Sequence, residues 1–245
     1  MAGRGQVAPS GSRTGPSVEV AGTHAAPACP ERAVIAVKIC GLSTPEAVDA
    51  AVAGGAAFVG FVFFPPSPRN VSASLAAGLM HRVPASIVKV GLFVDPDDAF
   101  LEEVLHNAPL DMIQLHGKET PSRAAYIRKH FQRPVMKALA LGVESDLEKA
   151  KAYESVVDRL LFDAPPPKGA TRPGGNAQSF EWSLLKDRRW TVPWMLAGGL
   201  TADNLEDAVR RSGAHAVDVS SGVEDAPGQK NPDKITAFLD LASRL

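Results

Sequence analysis

From Ala33 onward, short apolar runs alternate with segments in which apolar residues recur every three or four positions. The runs at 34–39, 57–62, 87–93, 111–115, 134–139, 159–163, 193–197 and 215–219 read as β-strands. Several are apolar at almost every position, as expected of strands covered on both faces. The segments between them read as amphipathic helices: Ser43–Ala53, 72–82, 97–107, 120–131, 145–154, 180–187 and 202–212. A last helix, 231–243, follows the final strand. Thr44-Pro45-Glu46, Thr201-Ala202-Asp203-Asn204 and Asn231-Pro232-Asp233 have the make-up of helix starts. Eight strand–helix units predict an α/β chain closed into a single (β/α)8 TIM barrel over residues 33–245. A doubly wound sheet would put a glycine-rich phosphate loop after its first strand, and Cys40-Gly41-Leu42 is no such loop.

Residues 1–32 break the pattern. They are rich in Gly, Ala, Ser and Pro, hold no aromatic residue and lack the continuous apolar segment of a secretory signal. So little apolar surface cannot offset the entropy of ordering, so this stretch is expected to be a disordered extension that function does not need.

Composition narrows the function classes. Hydrophobic residues make up 45% of the 245-residue chain, enough for a sizeable core, and 26 basic against 27 acidic residues leave a net charge of −1. No global field draws the chain to nucleic acid or an anionic membrane, so an anionic ligand must be held by local groups. No apolar run approaches the roughly 20 residues that span a bilayer. The two cysteines, Cys29 and Cys40, form neither a disulfide framework nor a zinc spacing, and they fit a reducing, cytoplasmic setting. None of the six histidines stands at ligand spacing with carboxylates, so no metal is expected.

In a barrel of this kind the chemistry sits at the C-terminal strand ends. The first strand runs Val37-Lys38-Ile39-Cys40-Gly41. Alternation puts Lys38 and Cys40 on one face, where a cation would favour the thiolate. The plainer alternative is a small buried cysteine beside a lysine that snorkels to water. The second strand leads into Phe64-Pro65-Pro66-Ser67-Pro68-Arg69. The prolines stiffen this loop, and the guanidinium of Arg69 suits a carboxylate or phosphate if it is not simply solvated. Asp95, after the third strand, is expected to cap the next helix. Gln114 and His116 share a face at the fourth strand, with His116 either holding a ligand or serving the structure. Lys137 on the fifth strand is expected to partner interior acids. Asp163 ends the sixth strand as a cap or a functional acid. The loop at 164–176 then reads as a lid or a tolerated insertion. Gly198-Gly199 ends the seventh strand, and Asp218-Val219-Ser220-Ser221-Gly222 ends the eighth. Glycines and a short helix start at these last two strand ends suit a phosphate.

Taken in order, these motifs resemble the phosphoribosylanthranilate isomerase family of tryptophan biosynthesis over about residues 34–243. Those motifs are Lys38-Ile39-Cys40-Gly41, Phe61–Phe64 with Ser67-Pro68-Arg69, Gly91-Leu92-Phe93-Val94, Gln114-Leu115-His116-Gly117, Phe162-Asp163, Leu196–Leu200 with Asn204, and Asp218–Glu224. The resemblance implies a phosphoribosyl-binding barrel without cofactor or metal. It implies conversion of N-(5-phosphoribosyl)anthranilate to an open-chain 1-deoxyribulose 5-phosphate, an Amadori rearrangement. It makes Cys40 the general base and Asp163 the general acid. It puts Arg69 at the anthranilate end and the phosphate on Gly198, Gly199, Ser220, Ser221 and Gly222. Lys38, His116 and Asp218 complete the expected substrate contacts, and Lys38 is expected to help ionise Cys40. The expected partner is the small phosphosugar–anthranilate substrate, with no nucleic acid or membrane, in a monomer or homodimer. Gly174-Gly175-Asn176-Ala177 departs from the family's glycine-rich stretch and leaves lid closure open. Related phosphosugar isomerases with two catalytic aspartates fit less well, because Cys40 stands where the first aspartate would be. A silent phosphoribosyl-binding barrel should have lost one of Cys40 and Asp163, and both are present.

Overall fold

A computed structural model describes residues 34–167, 169, 173–175 and 178–245. The expectation for residues 1–32 lies outside the described residues. So do Lys168, residues 170–172, Asn176 and Ala177 of the loop read as a lid.

Among the described residues, eight parallel strands close into a barrel in chain order, as the pattern predicts. They are β1 (Ala36–Cys40), β2 (Phe58–Phe63), β3 (Val88–Phe93), β4 (Met112–Leu115), β5 (Val135–Ala140), β6 (Arg159–Asp163), β7 (Trp194–Leu196) and β8 (Ala216–Val219). Helices α1 (Pro45–Ala53), α2 (Ala73–Met80), α3 (Asp98–Asn107), α4 (Pro121–Phe131) and α5 (Ser145–Lys151) follow the first five strands. Helix α6 (Leu205–Ser212) follows β7, and α7 (Pro232–Ala242) closes the chain after β8.

Side-chain alternation sorts each strand into two layers. Phe58, Val90, Met112, Met136, Leu161, Met195 and Ala216 fill the barrel interior. The intervening residues, such as Val37, Ile39, Ile113, Phe162 and Val217, join the larger core between barrel and helices. The interior parity, followed to the C-terminal strand ends, yields Cys40, His116, Asp163 and Asp218.

Caps match the sequence signals at α1 and α7. Thr44 accepts the N–H of Ala47, and Asn231 accepts those of Asp233 and Lys234. Three readings are corrected. The α3 cap is Asp97, which accepts the Phe100 N–H at 2.8 Å. Asp95 instead takes a left-handed backbone (φ 47°), accepts the Lys118 N–H and donates its own to Glu119. The segment read as a helix at 180–187 is a single 3-10 turn, Trp182–Leu185. Trp182 and Leu185 are both buried three positions apart, which the three-residue pitch brings to one side. Asp187 then turns left-handed, so no second turn follows to offset the cost of helix nucleation. Helix α6 starts three residues later than expected, because Asn204 bonds the preceding loop rather than the helix: its Oδ1 accepts the Thr201 N–H.

Lys137 pairs with an acid as expected, and the acid is Glu119, at 2.8 Å. Both side chains are 2% exposed. Lys137 also donates to the Leu115 and Gly117 carbonyls, while Glu119 accepts the Asp95 and Gly117 N–H groups. The pair therefore staples the ends of β3, β4 and β5. Lys137→Met should lower unfolding stability by about 3–5 kcal/mol, the cost of stranding a buried charge, as read from urea denaturation midpoints.

Candidate active site

The sequence-predicted residues converge on one cavity at the C-terminal mouth of the barrel. Cys40, Arg69, His116, Asp163 and Asp218 line it, with Gly198, Gly199, Ser220 and Ser221 on the side of β7 and β8. Lys38 lies beneath Cys40 on the same strand face, and Gly222 packs behind the rim against the Leu200 carbonyl.

Strand register creates the first ion pair. The β1–β8 ladder sets Lys38 directly beside Asp218, and Nζ donates to Oδ1 at 2.9 Å. The ammonium is fully buried, which overturns the snorkelling alternative. Gly60 on β2 makes this possible: a Cβ there would stand 3.0 Å from the Lys38 Nζ and 3.1 Å from the Cys40 Sγ. Burial disfavours the charged form of Lys38, but Asp218 and then Cys40 outweigh it, and the ammonium is pushed up to about 12. Lys38 therefore stays charged throughout the physiological range.

Cys40 is 4% exposed. Burial pushes its thiol up, Lys38 opposes by a smaller amount, and Asp218 adds to the rise. Lys38 thus pulls in the direction expected of a residue that helps ionise Cys40, but it does not outweigh burial. Asp218 already neutralises Lys38, so burial prevails and the free site holds a thiol.

Asp163, on the interior face at the end of β6, is buried. Oδ1 accepts the Ala164 N–H at 2.8 Å, and Oδ2 lies 3.3 Å from the His116 Nε2. Gln114 Nε2 stands 3.2 Å from the other ring nitrogen, so a side chain on the same strand face orients the imidazole. His116 thus touches the acid and lines the cavity. The backbone at Gly174 passes so close over Asp163 and His116 that a Cβ would fall within 2.8 Å of both.

Arg69 is not solvated. It is 4% exposed, and its Nε and Nη2 each donate to Glu224 at 2.7 Å in a bidentate pair. Burial works against the Glu224 carboxylate, but Arg69 and Lys230 hold it below the usual range. On the rim, Gly198 and Gly199 have φ of 87° and 64°, a left-handed turn that side chains resist. Asn204 fastens this turn by donating to the Gly199 carbonyl at 2.9 Å. Across it, Ser221–Val223 forms a short 3-10 turn, as the helix-start reading anticipated. Among the described residues, no protein acceptor takes the backbone N–H of Gly199 or Ser221.

Four contributors carried little or no sequence signal. Glu224 lies within a recognisable motif but has no local feature that points to Arg69, 155 positions away. Lys230 reads as an ordinary turn lysine. Gly60 looks like a weak spot in a strand, and Glu119 like a helix-start residue. Among the described residues, no cluster of three His, Cys, Asp or Glu side chains could hold a metal ion. No described helix is long and apolar enough to cross a membrane.

Comparison with known proteins points one way. Residues 37–241 match the family model described as N-(5′-phosphoribosyl)anthranilate (PRA) isomerase. The N-(5′-phosphoribosyl)anthranilate isomerase of Paramagnetospirillum magneticum is 58% identical over 208 residues, which is 85% of this chain and 97% of that protein. The crystal structure of phosphoribosyl anthranilate isomerase from Thermotoga maritima superposes with a TM-score of 0.78 at 35% identity, covering 86% of this chain and 100% of that one. A crystal structure of the same enzyme type holds reduced 1-(o-carboxyphenylamino)-1-deoxyribulose 5-phosphate. It superposes with a TM-score of 0.75 at 33% identity, over 86% of this chain and 100% of that one.

Proposed function

This chain belongs to the N-(5′-phosphoribosyl)anthranilate isomerase family, and from that premise we propose that Cys40 is its general base and Asp163 its general acid. The enzyme catalyses an intramolecular aldose–ketose isomerisation in tryptophan biosynthesis. N-(5-Phosphoribosyl)anthranilate becomes 1-(2-carboxyphenylamino)-1-deoxyribulose 5-phosphate.

The observation that carries the role assignment is that an acid and a thiol face one cavity from strands three steps apart around the barrel. A sugar between them can be protonated on one side and deprotonated on the other. Asp163 gives its proton to the furanose ring oxygen, the C–O bond breaks, and the nitrogen lone pair forms an iminium. That cation acidifies the C2′ proton. Cys40 removes it to give an enolamine, which becomes the ketone. The resting thiol suits this order. The iminium places a new positive charge beside Cys40 at the stage when the thiolate is required, which favours loss of the thiol proton to solvent before the thiolate takes the C2′ proton. Lys38 holds Asp218 at the floor of the site and adds to that pull.

Arg69, pinned edge-on by Glu224, presents its remaining donors to the anthranilate carboxylate. His116 orients Asp163 and lines the substrate's path. The Gly198-Gly199 and Ser220-Ser221-Gly222 turns receive the phosphate through backbone N–H groups. The related structure bearing a carboxyphenylamino sugar phosphate supports this division, since that ligand has one carboxylate and one phosphate at opposite ends. Cytoplasmic placement and a monomeric or homodimeric state belong to the same proposal, and sedimentation velocity distinguishes the two states.

Residues 33–245 are the catalytic body in this reading. The test is the fluorescence decay of freshly prepared phosphoribosylanthranilate, with full-length protein beside a chain starting at Arg32. Both should accelerate the decay above spontaneous hydrolysis, with kcat equal within about twofold, as for a dispensable terminal segment. No acceleration by folded protein would refute the activity. A large loss in the shortened chain alone would refute the dispensability of the tail.

A further inference from the structure

After β8 the chain forms a small hairpin, β9 (Glu224–Ala226) and β10 (Gln229–Lys230), which brings Lys230 back beneath the rim of the cavity. The Lys230 side chain is fully buried. Its ammonium has three donors, and three acceptors surround it: the Ser220 carbonyl at 2.9 Å, the Ser220 Oγ at 3.3 Å and the Glu224 Oε1 at 2.5 Å. Two of these acceptors lead on to other parts of the site. Glu224 grips Arg69, and the Ser220 Oγ donates to the Cys40 carbonyl at 3.1 Å. Two buried cations, Arg69 and Lys230, share the single Glu224 carboxylate. Burial pulls the Lys230 ammonium down from its ordinary range, and the shared Glu224 carboxylate opposes that pull.

We propose that Lys230 is a positioning residue for the isomerisation, holding the Arg69 clamp, the Ser220 turn and the Cys40 end of β1 in one arrangement. The proposal rests on the assignment of Cys40 as base. A plain structural staple would predict a loss of stability only. A positioning cation also acts on the thiol. The charged groups facing Cys40 are Lys38 from β1, Asp218 from β8 and Lys230 from β10, and those facing Lys230 are Glu224, Arg69 and Cys40. Lys230 and Lys38 both draw the thiol down against burial.

The test uses full-length protein carrying Cys29→Ser, so that Cys40 is the one thiol, with and without Lys230→Met. Iodoacetamide alkylation of Cys40 is followed against pH, alongside kcat and KM. Folding is checked by binding of the reduced product analogue. Lys230→Met should move the alkylation profile to higher pH and lower kcat on the order of a hundredfold, the scale of a small misplacement of reacting groups. A folded variant with an unmoved alkylation profile overturns the proposal. A moved profile with unchanged kcat supports the action of Lys230 on Cys40 and faults the choice of Cys40 as base. If Lys230→Met does not fold, Ser220→Ala decides. It keeps the Lys230–Glu224 pair and removes the hydroxyl that reaches Cys40. A lowered kcat with a moved profile then supports the proposal, and an unmoved profile overturns it.

Discussion

Cys40→Ser is expected to lower kcat/KM for phosphoribosylanthranilate by roughly 10²–10⁴-fold, the range for loss of a positioned general base. Serine keeps the size of the side chain and the packing of a site already 4% exposed, so folding and affinity for the product analogue should hold. The loss should therefore fall in kcat rather than KM, which marks an interaction made in the transition state. The pH dependence gives the sharper signature. Burial holds the thiol above its ordinary range. For wild type, kcat/KM should combine a base contribution that grows with the thiolate fraction and an acid contribution that falls as Asp163 loses its proton. A serine hydroxyl does not ionise in that range, so the base contribution should vanish in the variant and leave the fall of the acid alone. Stopped-flow fluorescence between pH 6 and 10, roughly the span a buried thiol can titrate in, would settle it. An unchanged pH profile in Cys40→Ser would assign the base elsewhere.

Asp163→Asn is the second large effect, with a loss of roughly 10²–10⁴-fold in kcat. Asparagine can still hydrogen-bond His116 and the Ala164 N–H, so the local geometry has a substitute for both contacts seen at 3.3 and 2.8 Å. What it lacks is a proton to give to the ring oxygen. Ring opening should stop while product-analogue binding stays within a few-fold. A substrate analogue that is already open at C1′ separates this from a general collapse of the site. Asp163→Asn should still exchange its C2′ proton with deuterated solvent, and Cys40→Ser should not. If both variants exchange equally, the two residues do not divide the reaction as assigned.

Much of the site was legible because each strand carries its own code. Alternation along Val37-Lys38-Ile39-Cys40 already separates a core pair from a reactive pair, and the barrel interior holds the reactive one. The same parity puts Gln114 and His116 on one face, and the closed barrel makes that face the interior. Gly198-Gly199 signals a left-handed turn through residue type alone, and the structure has one there. Local chemistry misled where two short-range options competed. Asp95 and Asp97 are both plausible caps, and only the approach of Lys118 and Glu119 from the next strand end draws Asp95 away from the helix. Asn204 likewise looked like a helix start, and the Gly199 carbonyl claimed its side chain.

The sequence by itself determined the strand–helix alternation, the face each strand presents and the residue types available at every strand end. Those follow from periodicity and backbone preference, which act over a few residues. Tertiary structure alone decided which charges meet. Lys38 and Asp218 lie 180 positions apart and become neighbours because the barrel closes β8 onto β1 in one register. Arg69 reaches Glu224 across 155 positions, and Lys230 joins them only through a hairpin after the last barrel strand. Buried charge is tolerable only when its partner arrives with it, so these residues have no meaning singly. The same closure sets the state of Cys40, because desolvation and the Asp218 partner of Lys38 exist only once the barrel is shut.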